Sequence, residues 1–171
     1  TLEEMHKYIK EKWNRKITNG DTVYILGDVS MRGKKEELIA FVAQLKGRKV
    51  LIKGNHDDVS DYRYQQLFHE ICDYKEMHDT IGKEHYSLVL SHYPIFSWRN
   101  MGRGRILLYG HTHESEEDRF YQKCLSEMRA NDCRHVYEAE ELRAYNVGCM
   151  RDYMNYTPRT LEEILNSRSK V

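Results

Sequence analysis

This sequence lacks an excess charge of either sign, and that absence narrows its possible ligands. Its 171 residues include 27 Lys and Arg and 27 Asp and Glu, so the formal net charge is zero. A protein that binds nucleic acid by neutralising phosphates normally carries a basic excess, so this balance argues against one. A small phosphorylated substrate is still allowed, because a bound metal ion can supply the positive charge.

Paired cysteines and long apolar runs are also missing. The four cysteines have no C-x-x-C spacing and form no dense framework. We interpret them as free thiols in a reducing compartment and expect a cytoplasmic protein; a zinc site formed by Cys133 and His135 is the alternative. No stretch is apolar enough to span a membrane, and none resembles a signal peptide. A membrane partner is therefore not expected.

What the sequence does contain is a set of short apolar runs that end in polar loops. Residues 49–53 form one such run, and Gly54-Asn55-His56-Asp57 follows it directly. Taken alone, this loop could be an ordinary turn or a ligand-binding loop. Three further runs are predicted to be strands, at 22–26, 86–90 and 105–109. Amphipathic patterns and capping boxes predict helices at about 2–17, 34–45 and 59–70, and a short one after Thr160.

The loops after these four strands carry side chains that can bind metal ions. They are Asp28, Asn55, His92, His111 and His113. Strands that alternate with helices favour a parallel sheet, whose loops meet at one edge. This mixed nitrogen and oxygen set suits Mn²⁺, Fe or Zn²⁺ better than Mg²⁺ or Ca²⁺. The two imidazoles of a His-x-His segment point in opposite directions, so they can serve two ions that Asp28 bridges.

Read together, the four loops resemble those of the calcineurin-like metallophosphoesterase family. The motifs are GDVS, GNHD, SHYP and GHTH, in the family's order and each after a strand. The resemblance covers residues from about 22 to 148. It implies an α/β sandwich of two mixed β-sheets flanked by helices, with a dinuclear metal centre on the loops at the strand ends. We expect residues 1–171 to form a single domain of this kind.

The resemblance also implies a role for each loop residue. Asp28 would bridge two ions, and one site would be completed by Asn55, His92 and His111, whereas His113 would belong to the other. His56 would protonate the leaving oxygen of the substrate. Asp57 would either orient His56 or cap the next helix. The predicted substrate contacts are Arg32, Asn55 and Arg99.

Two features of the family pattern are absent. The family normally begins with Asp-x-His at the end of a first strand, and no such motif precedes Asp28. We expect that strand, with two further ligands, upstream of Thr1. In addition, Met31 stands where the related protein phosphatases have an aspartate in a GDxxDRG run. This difference favours the smaller bacterial-type phosphoesterases.

The sequence therefore predicts a metal-dependent phosphoester hydrolase. The expected cofactors are two divalent ions, preferably Mn²⁺, with a metal-bridged hydroxide that attacks a small organic phosphate as a phosphodiesterase or phosphatase. The alternatives are a non-catalytic interaction scaffold of the same fold and a nuclease subunit. His56 argues against the scaffold, since such scaffolds tend to lose it. The charged segment 114–142 is either a flap over the site or a helix packed on the sandwich edge.

Overall fold

The computed structural model describes residues 1–29, 34–131 and 141–168. In chain order the elements are α1 (Leu2–Lys16), β1 (Thr22–Ile25), α2 (Lys35–Ala43), β2 (Arg48–Ile52), α3 (Tyr62–Gln65), β3 (Glu70–Cys72), β4 (Tyr74–Ile81), β5 (Glu84–Ser91), a 3₁₀ turn (Met101–Arg103), β6 (Ile106–Tyr109), α4 (Glu116–Ala130), β7 (Ala144–Asn146) and α5 (Leu161–Arg168). Within these ranges, no helix combines the length and the apolar character that a membrane span requires.

Strands β1, β2 and β3 form a first sheet in that order, and all of them are parallel. Helices α1 and α2 cover its outer face, where Trp13 and Phe41 pack with Val23 and Leu51. The indole Nε1 of Trp13 donates a hydrogen bond of 2.9 Å to the carbonyl of Lys46, which satisfies its polar atom. This stable packing fixes β1 and β2, the strands that lead into two of the predicted ligand loops.

The second sheet has the order β4-β5-β6-β7. Strands β4 and β5 form an antiparallel hairpin that turns at Gly82, whose φ of 60° favours glycine. Strands β5, β6 and β7 are parallel. The prediction of a two-sheet α/β sandwich flanked by helices is therefore confirmed, with one sheet parallel and the other mixed.

The main core lies between the two sheets. Val50 and Ile52 of β2 face Leu88 and Leu90 of β5, together with Leu108 of β6. Successive strand residues point to opposite faces, so the residues between them point outward to the covering helices. Leu51 packs with α1 and α2, whereas Val89, Leu107 and Tyr109 pack with α4. This alternation explains why these strands are almost wholly apolar.

Two sequence predictions differ from the structure in extent. The helix predicted at 59–70 is only the single turn α3, because the backbone N–H of His69 already donates to Lys49 as the chain enters β3. The segment 114–142 contains α4, whose Tyr121 and Leu125 are buried against the second sheet. The described part of that segment is thus a packed helix, and residues 132–140 lie outside the described ranges.

Candidate metal centre

The predicted ligand loops meet at one edge of the sandwich. Strands β1, β2, β5 and β6 all end there, because the parallel strands within each sheet share one direction. The ligand atoms of Asp28, His92 and His111 lie within 4.8 Å of one another. Asn55 joins them, since its Oδ1 is 3.1 Å from Nε2 of His92. Four of the five predicted ligands therefore come together.

The tautomer of His92 is set by Nδ1, the ring nitrogen that faces away from the cluster. Nδ1 donates a hydrogen bond of 2.7 Å to the carbonyl of Leu26, in the loop after β1. Its Nε2 therefore presents a lone pair to the cluster. Only 2% of the His92 surface is exposed, so the ring is held firmly in this orientation.

The atoms around that lone pair can also be acceptors, namely a carboxylate oxygen of Asp28, Oδ1 of Asn55, and Nδ1 of His111 when its ring proton is on Nε2. Nε2 of His92 lies 3.2 Å from Nδ1 of His111, 3.4 Å from a carboxylate oxygen of Asp28 and 3.1 Å from Oδ1 of Asn55. Acceptors this close repel one another unless a cation or a proton lies among them. The cluster is therefore arranged for a positively charged guest.

These separations fit a divalent metal ion. Nitrogen and oxygen ligands bind Zn²⁺ and similar ions at about 2.0–2.2 Å, so neighbouring ligands around one ion stand roughly 3.0–3.5 Å apart. The distances from His92 to its three neighbours fall in this range. The donor set is two imidazoles, one carboxylate and one amide oxygen, which suits transition metals.

Glycine is required twice because the loops approach each other closely. A Cβ on Gly27 would lie 2.3 Å from Nδ1 of His92, and a Cβ on Gly54 would lie 2.3 Å from a carboxylate oxygen of Asp28. Any side chain at either position would therefore push a ligand out of place. This packing gives a physical reason for the Gly-Asp and Gly-Asn pairs.

Three predicted ligands have a left-handed backbone. The φ angles are 51° at Asp28, 63° at His111 and 49° at His113. Residues other than glycine adopt this conformation at a cost of roughly 1–2 kcal/mol each, and such strain gathers at functional sites. The surrounding contacts must therefore hold these loops in place.

Asp57 has a role that neither sequence interpretation anticipated. Its carboxylate accepts hydrogen bonds from three backbone N–H groups, those of Asp28 at 2.7 Å, Val29 at 3.0 Å and Gly54 at 2.9 Å. Asp61, not Asp57, caps α3, so the capping prediction is wrong. The carboxylate instead fastens the loop after β1 to the loop after β2.

The remaining predicted residues lie around the cluster in different ways. His56 is exposed, and its backbone N–H donates a hydrogen bond of 2.9 Å to Oδ1 of Asp28, whereas Oδ2 is the oxygen that lies near His92. Arg99 is 70% exposed and 3.4 Å from Glu76, an ion pair that provides no contact with the ligands. Its predicted substrate contact stays a prediction. Arg32 lies outside the described residues, as do Cys133 and His135.

A cavity of about 550 Å³ opens at the cluster and runs inward along β1. Asp28, His92, His111 and His113 line its polar end. The rest of its wall is mostly apolar and includes Leu88, Leu90 and Leu108 from the core between the sheets. His113 thus shares the cavity with the other ligands but stands outside their close group.

Sequence reasoning missed the residues that support the cluster from behind. Asn146 and Asp118 are buried beneath the His111–His113 loop and are hydrogen bonded to Thr112. The signal for Asn146 was weak, namely a polar residue at a strand end. Asp118 gave none, because it follows Glu114, Glu116 and Glu117 and resembles the acidic first turn of any helix.

Tyr93 is a further neighbour of the ligands. Its ring centroid lies 4.6 Å from that of His111 and 4.9 Å from that of His92. The side chain is 44% exposed, so it covers the two imidazoles on one side while still facing solvent. Aromatic contacts of this kind restrict the rotation of the ligand rings.

Comparison with known proteins agrees with this geometry. Residues 1–147 match the sequence model of the calcineurin-like phosphoesterases. The Gene 66 protein of Mycobacterium phage D29 is 31% identical over 128 residues, which is 62% of this chain and 64% of that protein. The uncharacterized protein MJ1445 of Methanocaldococcus jannaschii is 28% identical over 120 residues, 70% of this chain and 59% of that protein. The chain thus spans less than two thirds of these relatives.

A solved structure has the same fold. It is the crystal structure of the protein of unknown function AQ665 from Aquifex aeolicus, with a TM-score of 0.63 and 24% identity. The match covers 95% of this chain and 84% of that one. This likeness supports the fold alone, whereas the sequence match over residues 1–147 and the ligand cluster support the family. The chain therefore belongs to the calcineurin-like phosphoesterase family.

Proposed function

We propose that this protein is a metal-dependent phosphoester hydrolase. The observation that carries the proposal is the convergence of four side chains that can present acceptor atoms, those of Asp28, Asn55, His92 and His111, with a fixed lone pair on His92. Such a cluster holds a divalent cation and lies at the sheet edge where α/β proteins bind ligands. Manganese is the preferred ion, with iron and zinc as alternatives.

The side chains around the cluster have different roles in the proposed reaction. Bound divalent ions would polarise the phosphoryl oxygens and provide a nucleophile by lowering the pKa of water. His92 and His111 hold their nitrogen atoms toward the guest, and Asp57 keeps Asp28 in register with them. His56, exposed beside Asp28, donates a proton to the leaving alkoxide oxygen of the substrate. Asn55 and Arg99 are the proposed substrate contacts within the described residues.

A second ion would complete the dinuclear centre. Asp28 and His113 line the same cavity and would supply a bridging carboxylate and one imidazole. Two ligands are too few for a stable site, so we propose that an extended segment upstream of residue 1 provides the others. Support comes from the edge of β1 away from β2, which pairs with no strand among the described residues, and from the apolar cavity beside it. Cavities of this size are unusual in a packed core.

The proposed substrate is a small organic phosphate, either a monoester or a diester. The neutral composition favours it over nucleic acid. The described cysteines, Cys72, Cys124 and Cys149, are free thiols, which supports a cytoplasmic location.

The test is hydrolysis of bis-p-nitrophenyl phosphate and p-nitrophenyl phosphate by the protein extended upstream of residue 1. We expect cleavage with added Mn²⁺, loss of cleavage with chelator, and a preference that separates phosphodiesterase from phosphatase. His92→Ala is the inactive reference, and His85→Ala on the exposed start of β5 is the matched control. If the protein binds two ions and cleaves neither ester, the interaction scaffold becomes the better interpretation.

A further inference from the structure

The described chain contains a buried carboxylate close to the ligand loops that the proposed chemistry does not use. Asp118 lies in the first turn of α4 and is 5% exposed. Its Oδ1 accepts three hydrogen bonds, from the Tyr109 hydroxyl at 2.7 Å, the Thr112 hydroxyl at 3.0 Å and Nδ2 of Asn146 at 3.0 Å. Three donors directed at one buried oxygen form a closely defined network.

This network holds the middle and the His113 end of the loop that carries the two histidines. Thr112 lies between His111 and His113, so its hydrogen bond to Asp118 fixes the middle of the loop. Asn146 also donates from Nδ2 to the carbonyl of His113 at 2.8 Å and lies 3.2 Å from the Thr112 hydroxyl. Asn146 is fully buried. The two residues with left-handed backbone therefore flank a side chain that is fastened to the protein interior.

The charges around Asp118 suit a permanent acceptor. The Arg151 guanidinium lies 3.8 Å from its second oxygen. The pKa of Tyr109 is raised mainly by burial and also by its hydrogen bond to Asp118, so its hydroxyl remains a donor. Nε2 of Gln122 donates a hydrogen bond of 2.9 Å to the oxygen of the Tyr109 hydroxyl, so the proton of that hydroxyl is directed to Asp118. Every polar atom that faces the Asp118 carboxylate in these contacts is thus a donor.

We propose that Asp118 is a positioning residue for the metal centre, acting through Thr112 and Asn146 to hold His111 and His113 in their ligand geometry. This inference rests on the proposed metal centre. Asp118 has no contact with the ligands themselves, so it acts on binding only through the shape of the loop. Residues behind metal ligands typically change metal affinity about 10- to 100-fold when they are removed.

The experiment compares Asp118→Ala with Asp118→Asn and with Gln122→Ala. Alanine leaves three donors without an acceptor, whereas asparagine keeps the Oδ1 oxygen and nearly the same shape. Gln122 lies one turn further along α4 and contacts Tyr109 and the Ala144 carbonyl, but no residue of the loop. It therefore controls for a general loss of packing at this helix.

Two measurements are made on each protein. Backbone ¹³C and ¹⁵N shifts of residues 111–113 are recorded by NMR without metal, and Mn²⁺ affinity is then measured by competition with a fluorescent chelator. We expect Asp118→Ala to move the shifts and to weaken Mn²⁺ binding about 10- to 100-fold. Asp118→Asn should restore most of the affinity, and Gln122→Ala should resemble the wild type in both measurements.

Unchanged shifts in Asp118→Ala would overturn the inference, and so would an equal loss of affinity in Gln122→Ala. If Asp118→Ala does not fold, Thr112→Val removes only the hydroxyl that links the loop to Asp118 and should change the shifts in the same direction. A wild type that binds no Mn²⁺ would contradict the proposed metal centre instead. The metal-free NMR comparison then still decides whether Asp118 positions the loop.

Discussion

Individual residues at the cluster are held in conformations that they would not adopt alone. Asp28, His111 and His113 have positive φ angles, and His92 faces other acceptors at 3.1–3.4 Å. Strain and acceptor crowding both oppose folding, so neighbouring hydrogen bonds must outweigh them. Asp57 on one side and Asp118 on the other each accept three such hydrogen bonds. Two carboxylates that are not metal ligands in the proposed centre, those of Asp57 and Asp118, therefore help to hold the ligand loops in place.

Replacing His56 with Ala tests its proposed role as the proton donor. Its ring is exposed and not part of the ligand group, so Mn²⁺ affinity should be nearly unchanged. Turnover of an alkyl phosphate ester, whose alkoxide is a poor leaving group, should fall about 10²–10⁴-fold. Steady-state kinetics with and without excess Mn²⁺ separates the two effects. An unaltered turnover number would remove His56 from the mechanism.

Asp57→Ala should reduce stability rather than act through His56. It leaves the N–H groups of Asp28, Val29 and Gly54 without their acceptor, and we expect the free energy of unfolding to fall by about 2 kcal/mol. Urea denaturation of the metal-free protein measures this loss of unfolding free energy. Asp73→Ala is the control, since that carboxylate is exposed and contacts Lys53 at the surface. If the metal-free stability equals that of the wild type and only the pH profile of activity changes, Asp57 acts instead by orienting His56.

At the scale of elements, the sequence predicted most helices and strands because their patterns are strong and local. Trp13 and Ile9 recur on one face of α1, and the short β-branched run that contains Val50, Leu51 and Ile52, bounded by glycines, indicates a buried strand. The short α3 was overestimated, since tertiary pairing of His69 with β2 replaced the helical pattern. Asp57 could not be assigned because two of its partners, Asp28 and Val29, are 29 and 28 residues away. Asp118 could not be assigned because it lies within an acidic run that resembles a helix start, and its partner Asn146 is 28 residues away.

The contact between α1 and α5 provides a prediction at this scale. Glu163 accepts hydrogen bonds from Lys16, from the Thr160 N–H at 2.8 Å and from Arg159 at 3.4 Å. Burial raises the pKa of Glu163, but these partners lower it more, to about 2 from an ordinary value of 4.5. The folded state therefore favours the ionised form, so the contribution to stability is complete above pH 4.5 and is lost as the pH falls toward 2.

Glu163→Gln should lower the free energy of unfolding at pH 7 by about 0.5–1 kcal/mol, because the group is partly exposed and solvent screens its ion pairs. The difference from wild type should shrink as the pH falls below 4.5. Urea titrations between pH 7 and pH 3 measure this trend. Glu162→Gln, at the exposed neighbouring position, should show no such pH dependence. A difference that grows in acid would contradict the assigned direction of the pKa shift.

Across the whole molecule, metal binding should couple to stability, since the ligands come from loops of both sheets. An ion that binds only the folded state stabilises it by about 2.7 kcal/mol at a free concentration of 100 times its dissociation constant. We expect Mn²⁺ to raise the Tm by roughly 5–10 °C and chelator to reverse this. His92→Ala should abolish the shift, whereas His85→Ala should retain it. A Tm that is independent of Mn²⁺ in the wild type would argue against a structural link between the sheets.

The proposed upstream strand beside β1 leads to a prediction of the number of bound ions. The close group of Asp28, Asn55, His92 and His111 can hold one ion, whereas the second ion has only His113 and the shared carboxylate. We therefore expect residues 1–171 to bind one Mn²⁺ tightly, and the protein extended upstream by a strand to bind two. Elemental analysis after gel filtration gives the ratio. His113→Ala in the extended protein should return it to one, and two tightly held ions in residues 1–171 would show that the added strand supplies no ligand.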